Sequence, residues 1–179
     1  MRLFFALWPA PRTAGALHDW AMRASRESGG RVTHAETIHL TLAFLGEVAA
    51  ERLPAAIEAA RRVKGATHTL PIEQARYWKH NRIVWAGPNE TPAPLAALAA
   101  ELKACLLKAG FELEARAFAA HVTLIRNARE PRAALPELPR VDWPVGEFVL
   151  VRSVLSREGS SYEPIERCAL SAGGRPRAR

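Results

Sequence analysis

The sequence predicts an α+β fold of largely antiparallel sheet, in two halves that look alike in outline. Three observations predict it. Apolar segments switch between strand-like and helix-like periodicity along the chain. Gly and Pro punctuate those segments. The tetrad His-x-Thr-Leu occurs at 39–42 and again at 121–124, each time in a strand-like run that comes after a long helix.

Each element has its own signal. Residues 3–8 form an apolar run ended by Pro9 and Pro11, which reads as a buried strand. Residues 13–28 place Leu17, Trp20, Ala21 and Ala24 on one helical face, and Gly29-Gly30 stops the helix. Residues 38–45 read as a strand closed by Gly46, and 51–63 as an Ala-rich helix with Pro54 in its first turn. Residues 69–78 and 82–86 read as two strands joined in a hairpin at His80-Asn81. Residues 94–109 carry the stripe Leu95, Leu98, Leu102, Cys105, Leu106, with Gly110 as cap. Strands are expected over 111–118, 121–126, 148–155 and 164–170, with a Pro-rich surface loop over 130–144.

The chain has 179 residues, 25 Lys+Arg against 18 Asp+Glu and a net charge of +7. That length suits one domain or two small lobes. Residues 1–172 are assigned to a single bilobal domain and 173–179 to a basic, disordered tail. A hydrophobic content of 49% excludes a wholly disordered protein. No apolar run reaches the roughly 18 residues of a membrane span, so no membrane partner is expected. The run after Arg2 is short and stops at Pro9, so it reads as a first strand rather than a signal peptide, although Ala14-Gly15-Ala16 loosely resembles a cleavage site. Cys105 and Cys168 supply no disulfide framework or Cys-rich metal site and read as small core residues in a reducing compartment. Four of the basic residues are Lys and the rest Arg, which suits bidentate phosphate contacts or reflects a coding bias.

The repeated tetrad carries the chemistry. Residues i and i+2 of a strand share a face. His39 and Thr41 therefore point one way and Leu40 and Leu42 the other; His121 and Thr123 are set likewise against Val122 and Leu124. If the halves pack about a pseudo-twofold axis, two imidazoles flank one substrate atom. Imidazole titrates near pH 6.5, so one can be neutral and take a proton while the other is protonated and gives one. The Thr hydroxyls can donate to non-bridging phosphate oxygens, and Arg126 adds a fixed charge.

The segments HLTLAFLG and HVTLIR resemble the paired motifs of the two-histidine (2H) phosphoesterase superfamily, in its RNA 2′,3′-cyclic phosphodiesterase or 2′-5′ RNA ligase-type branch. Residues 2–7, Val84-Trp85-Ala86-Gly87, Phe118 and Gly159-Ser160-Ser161-Tyr162 resemble the same branch. The resemblance implies a bilobal α+β fold, two pseudo-twofold-related lobes of largely antiparallel sheet with outer helices around a central cleft, and metal-independent opening of a ribose 2′,3′-cyclic phosphate to a 2′-phosphate, with no cofactor. By the same resemblance His39 is the general acid, His121 the general base, and Thr41, Thr123 and Arg126 hold the phosphate. Phe44 packs on the nucleobase, which its parity allows only if a bulge or strand end intervenes. Ala120 stands where the family often has Pro, and Val154 where it often has Arg, with Arg152 or Arg157 available to compensate. The implied substrates are RNA ends or small cyclic nucleotides, and a cytoplasmic monomer is expected.

Other readings compete. His34-Ala35-Glu36 superficially matches the opening of zinc deaminases but lacks their downstream cysteine pair. A mononuclear metal set of His34, Glu36 and His39 fails on strand parity. His18, His68 and His80 read as ordinary polar residues. Trp78 and Trp85, interleaved with Arg76, Lys79 and Arg82, could clamp single-stranded RNA or simply form a hairpin core with a solvated face. The alternative functions are a non-catalytic RNA-binding module of the same fold and 2′-5′ RNA end joining by the reverse reaction.

Overall fold

A computed structural model describes residues 1–156 and 159–172. Arg157 and the tail 173–179 lie outside the described residues. The strands are β1 (Arg2–Leu7), β2 (Arg31–Val32), β3 (Leu40–Glu47), β4 (His68–Ile72), β5 (Gln74–Trp78), β6 (Ile83–Gly87), β7 (Val122–Arg126), β8 (Val141–Val145), β9 (Glu147–Ser156) and β10 (Gly159–Ala169). The helices are α1 (Pro11–Ser28), α2 (Leu53–Arg61) and α3 (Ala93–Lys108). Among the described residues, no helix is long and apolar enough to cross a membrane.

An eight-stranded sheet runs β10-β9-β1-β3-β7-β6-β5, with β2 added beside β7; β4 and β8 form a separate two-stranded sheet. Among the described residues, every pairing between these strands is antiparallel. The two halves repeat one unit, strand–helix–strand: β1-α1-β3 in the first and β6-α3-β7 in the second. They join where Leu40 of β3 pairs with Val122 of β7. One face of the sheet is buried under the helices, where Leu3, Phe5, Leu7, Leu40, Val122 and Leu124 meet Leu17 and Trp20 of α1 and Leu95, Leu98 and Leu102 of α3. The opposite face carries only a small cluster, Phe4, Ala6, Val149 and Val151, with Trp8 and Tyr162 against it. That face holds the site.

Several expectations are corrected. The single strand over 69–78 is two strands in two sheets, broken at Glu73. β4 leaves to pair with β8, so part of the Pro-rich 130–144 segment is strand rather than loop. Pro71 and Pro144 are tolerated because a two-stranded ribbon has free edges. Leu70, Ile72, Trp143 and Val145 of this ribbon point into the main core. Residues 111–118 form no strand despite their alternation. β7 already has β3, β6 and β2 beside it, so no edge there is vacant. The segment is tied to α3 instead: the Phe111 N–H donates to the Leu106 carbonyl at 3.0 Å, and Lys103 Nζ donates to the Glu114 carbonyl at 3.3 Å. β3 runs through Gly46 to Glu47 rather than stopping there. The two thiols are partly buried at the margin of the core, and both are free.

β2 depends on one glycine. Gly30 has φ +85°, and a Cβ there would lie 2.6 Å from the Arg126 carbonyl oxygen. Without a side chain the backbone passes close enough for Arg31 to pair with Arg126 and Val32 with Ile125.

Candidate active site

The pairing of Leu40 with Val122 fixes the arrangement of both motifs. Continuing that antiparallel register by one residue sets His39 opposite Thr123 and Thr41 opposite His121. Leu40 and Val122 are fully buried on the core side, so all four polar residues share the open face. The two histidines are diagonal neighbours, with backbones about 7–8 Å apart. Both rings line one cavity.

Both halves carry the same irregularity. Ala6 pairs with Thr41 and Phe5 with Ala43, leaving Leu42 as the extra residue of a β-bulge. Trp85 pairs with Thr123 and Val84 with Ile125, leaving Leu124 as the extra residue. The bulge in each case comes directly after the Thr of the tetrad, keeps the Leu in the core, and reverses the parity of the residues beyond it. Phe44, whose simple alternation points away from His39, is thereby turned to the cleft face, opposite Phe4. Arg126 occupies the corresponding position in the second half. Phe44 is 40% exposed, and the Arg2 guanidinium lies 5.0 Å from its ring centroid.

A cavity of about 140 Å³ is lined by His39, Thr41, His121, Thr123, Arg126 and Tyr162, together with Arg31, Thr33 and His34. Five of the six residues selected from sequence therefore meet in one place. Phe44, the sixth, lines two adjoining hollows. One, of about 380 Å³, includes Arg2, Phe4, His39, Arg126 and Tyr162; the other, of about 660 Å³, includes Trp78, Lys103, Arg116, Phe118 and His121.

Each catalytic candidate is held by its own backbone. Nδ1 of His39 lies 2.7 Å from the Thr37 carbonyl, and Nδ1 of His121 lies 2.8 Å from the Ala119 carbonyl. A carbonyl only accepts, so each Nδ1 carries the proton and donates. Nε2 is left in each ring to take or give a proton in the cleft. His68 makes the same bond to the Ala66 carbonyl at the head of β4, so the geometry belongs to a histidine entering a strand, and the His39 and His121 rings are the two that share a cavity.

Aromatic rings surround both imidazoles. Trp8 stacks on His39 with centroids 5.1 Å apart and planes 10° apart; Phe4 and Tyr162 pack at 5.0 and 5.3 Å. Trp78 lies 4.8 Å and Trp85 6.5 Å from His121. Burial is the largest influence on His39 and lowers its pKa from 6.5 to about 4; the Thr37 carbonyl opposes this, and Arg126 and His121 add to it. His121 is also lowered, first by burial and then by Arg116 and Arg126, against the pull of the Ala119 carbonyl. Both shifts favour the neutral ring in the free protein.

Arg31 carries no sequence signal that sets it apart from the other arginines. It stands directly opposite Arg126 across the β2–β7 ladder, and among the described residues neither has a carboxylate within ion-pair distance. Like charges placed opposite each other destabilise a sheet. Such a pair at a cavity rim is suited to an anion that neutralises both. Arg152 does not supply the cation expected near Val154 in the cleft, because it pairs with Glu163 and lines a separate hollow with Met1 and Glu47. Arg2 and Arg31 border the site instead. Of the interleaved set in the β5–β6 hairpin, Trp78 reaches the 660 Å³ hollow, while Lys79 pairs with Glu130 and Arg82 Nε donates to the Ala128 carbonyl. His34, Glu36 and His39 do not gather: among the described residues, no group of three or more His, Cys, Asp or Glu side chains is placed to hold a metal ion.

The sequence model of the family described as LigT like Phosphoesterase matches residues 7–85 and again 86–162, one match for each half. The chain is 36% identical over 173 residues to the RNA 2′,3′-cyclic phosphodiesterase of Escherichia coli (strain K12), covering 95% of this chain and 97% of that protein. It is 30% identical over 186 residues to the protein of the same name from Thermus thermophilus, covering 95% and 90%. The crystal structure of E. coli LigT complexed with 3′-AMP superposes with a TM-score of 0.88 at 34% identity, over 95% of this chain and 98% of that one. The MHV ns2 PDE domain, at 12% identity and a TM-score of 0.59, shares the fold.

Proposed function

The chain belongs to the LigT-like phosphoesterase family, and from that premise we propose that it opens the 2′,3′-cyclic phosphate at an RNA end to a 2′-phosphate. The observation that carries this reading is the pair of Nδ1-anchored imidazoles with free Nε2 atoms, diagonal across the β3–β7 join and beside Arg31 and Arg126.

The chemistry is an in-line displacement at phosphorus. Nε2 of His121 takes a proton from water as the water oxygen bonds to phosphorus. The P–O3′ bond breaks, and Nε2–H of His39 gives its proton to the departing O3′. The ester at O2′ remains, so the product is a 2′-phosphate with a free 3′-hydroxyl. Thr41 and Thr123 donate to the non-bridging oxygens, and Arg126 with Arg31 balances their charge. His39 is neutral in the free protein, so its protonated form is reached when the phosphate anion enters and offsets the cost of burying a cation. Phe44, turned outward by the Leu42 bulge, offers a face to the nucleobase. Residues 1–172 are read as one catalytic unit. RNA ends or small cyclic nucleotides, acted on by a cytoplasmic monomer, fit this chemistry.

The test uses an oligonucleotide with a 2′,3′-cyclic phosphate end in EDTA, with product identified by mass and phosphatase sensitivity. A 2′-phosphate is expected, and His39→Ala and His121→Ala should each lower the rate about 10²–10⁴-fold. Loss of activity in EDTA, or full activity in both variants, overturns the proposal. RNA binding without hydrolysis by the wild-type protein would identify a binding module instead.

A further inference from the structure

The internal repeat poses a question that the reaction sharpens. A strand–helix–strand unit used twice should present two equivalent histidines, yet the displacement needs one acid and one base. The registers show where equivalence ends. Leu7 pairs with Leu40, so the next position, Trp8, faces His39; Ala86 pairs with Val122, so the matching position, Gly87, faces His121. Trp8 shares the open face with Phe4 and Ala6, and its indole covers one face of His39. Its Nε1–H donates to the Glu36 carbonyl at 3.2 Å, and Tyr162 packs against it edge-on at 5.9 Å. At 87 no side chain is possible without rearrangement, since a Cβ would lie 2.6 Å from the Ala120 carbonyl oxygen.

We propose that Trp8 is a positioning residue that makes the two histidines unequal, holding the His39 ring with Nε2 toward the phosphate and giving its protonated form a π face, so that His39 serves as the acid. The proposal rests on the hydrolytic reading above. The physical reason is the negative face of the indole, which attracts an imidazolium stacked on it and gains little from a neutral ring. This attraction acts against burial, which most disfavours charge on His39, and against Arg126 of β7 and His121 at the head of β7; Arg31 stands opposite Arg126 on β2. His34 shares the cavity, and Tyr162 of β10 meets the ring edge-on. Its indole lies stacked on the His39 ring, so Trp8 acts through His39.

The experiment compares wild type, Trp8→Leu and Trp8→Phe by two readouts. In ¹H–¹³C NMR titration with saturating inorganic phosphate, Trp8→Leu should lower the His39 midpoint by about 0.5–1 pH unit and leave that of His121 in place. In hydrolysis assays the alkaline limb of kcat should move down by the same interval, with KM changed less than about twofold. Trp8→Phe should restore most of both. Equal movement of both histidines, or no movement of His39 in a folded Trp8→Leu protein, overturns the proposal. The NMR arm needs no turnover, so it tests Trp8 even if hydrolysis of the cyclic phosphate is not observed.

Discussion

Replacing His39 by Gln should remove a specific, pH-dependent part of the stability. Gln keeps an N–H for the Thr37 carbonyl but cannot titrate. In the folded protein the His39 pKa is about 4, against 6.5 for the free side chain. The folded value is the lower one, so between these limits the unfolded chain binds more protons and stability rises with pH. The contribution is fully present above about pH 6.5 and is lost as pH falls toward 4. Integrating between pH 7 and pH 5 gives a loss of roughly 2 kcal/mol from this one group. Urea unfolding followed by tryptophan fluorescence at pH 7, 6 and 5 measures it. His121 is present in both proteins and cancels in the difference. The wild type should lose about 2 kcal/mol more than His39→Gln over this interval. Parallel loss in the two proteins would show that His39 is solvated enough to protonate freely, and the argument from burial would fail.

Two further substitutions probe the cleft wall. Arg31→Gln relieves the like-charge pairing with Arg126, so stability in chemical denaturation should hold or rise by a few tenths of a kcal/mol, while KM for the cyclic-phosphate oligonucleotide rises about tenfold and becomes less sensitive to salt. A fall in stability with unchanged KM would remove Arg31 from the site. Gly30→Ala forces a Cβ against the Arg126 carbonyl at positive φ, so it should cost about 3 kcal/mol and reduce kcat/KM as β2 is pushed off β7. A loss under about 1 kcal/mol would mean that this close approach is not required.

The histidines and threonines are legible in the sequence because the strand period is local: residues two apart share a face whatever the rest of the chain does. The buried Leu40 and Val122 agree with that parity. The helices are legible for the same reason, and α1, α2 and α3 fall within a few residues of their apolar stripes. Residues 111–118 alternate as a strand should, yet they form none: β7, the strand they lead into, is already paired on both sides, and alternation says nothing about an open edge. Phe44 shows the converse. Its simple parity points away from His39, and only the Leu42 bulge, which exists through pairing with β1, turns it to the cleft.

By itself the sequence determined the two motifs, their shared polarity and the repeat that contains them, since each rests on side-chain identity and short spacing. Tertiary structure decided what those motifs face. The one-pair join of Leu40 with Val122 set the rings diagonal to each other, and Gly30 let a two-residue strand bring Arg31 opposite Arg126. The register with β1 laid Trp8 on His39, while that with β6 left Gly87 beside His121. These are contacts between residues far apart in the chain. They are fixed by hydrogen-bond register and the exclusion of overlapping atoms, neither of which any short window of sequence contains.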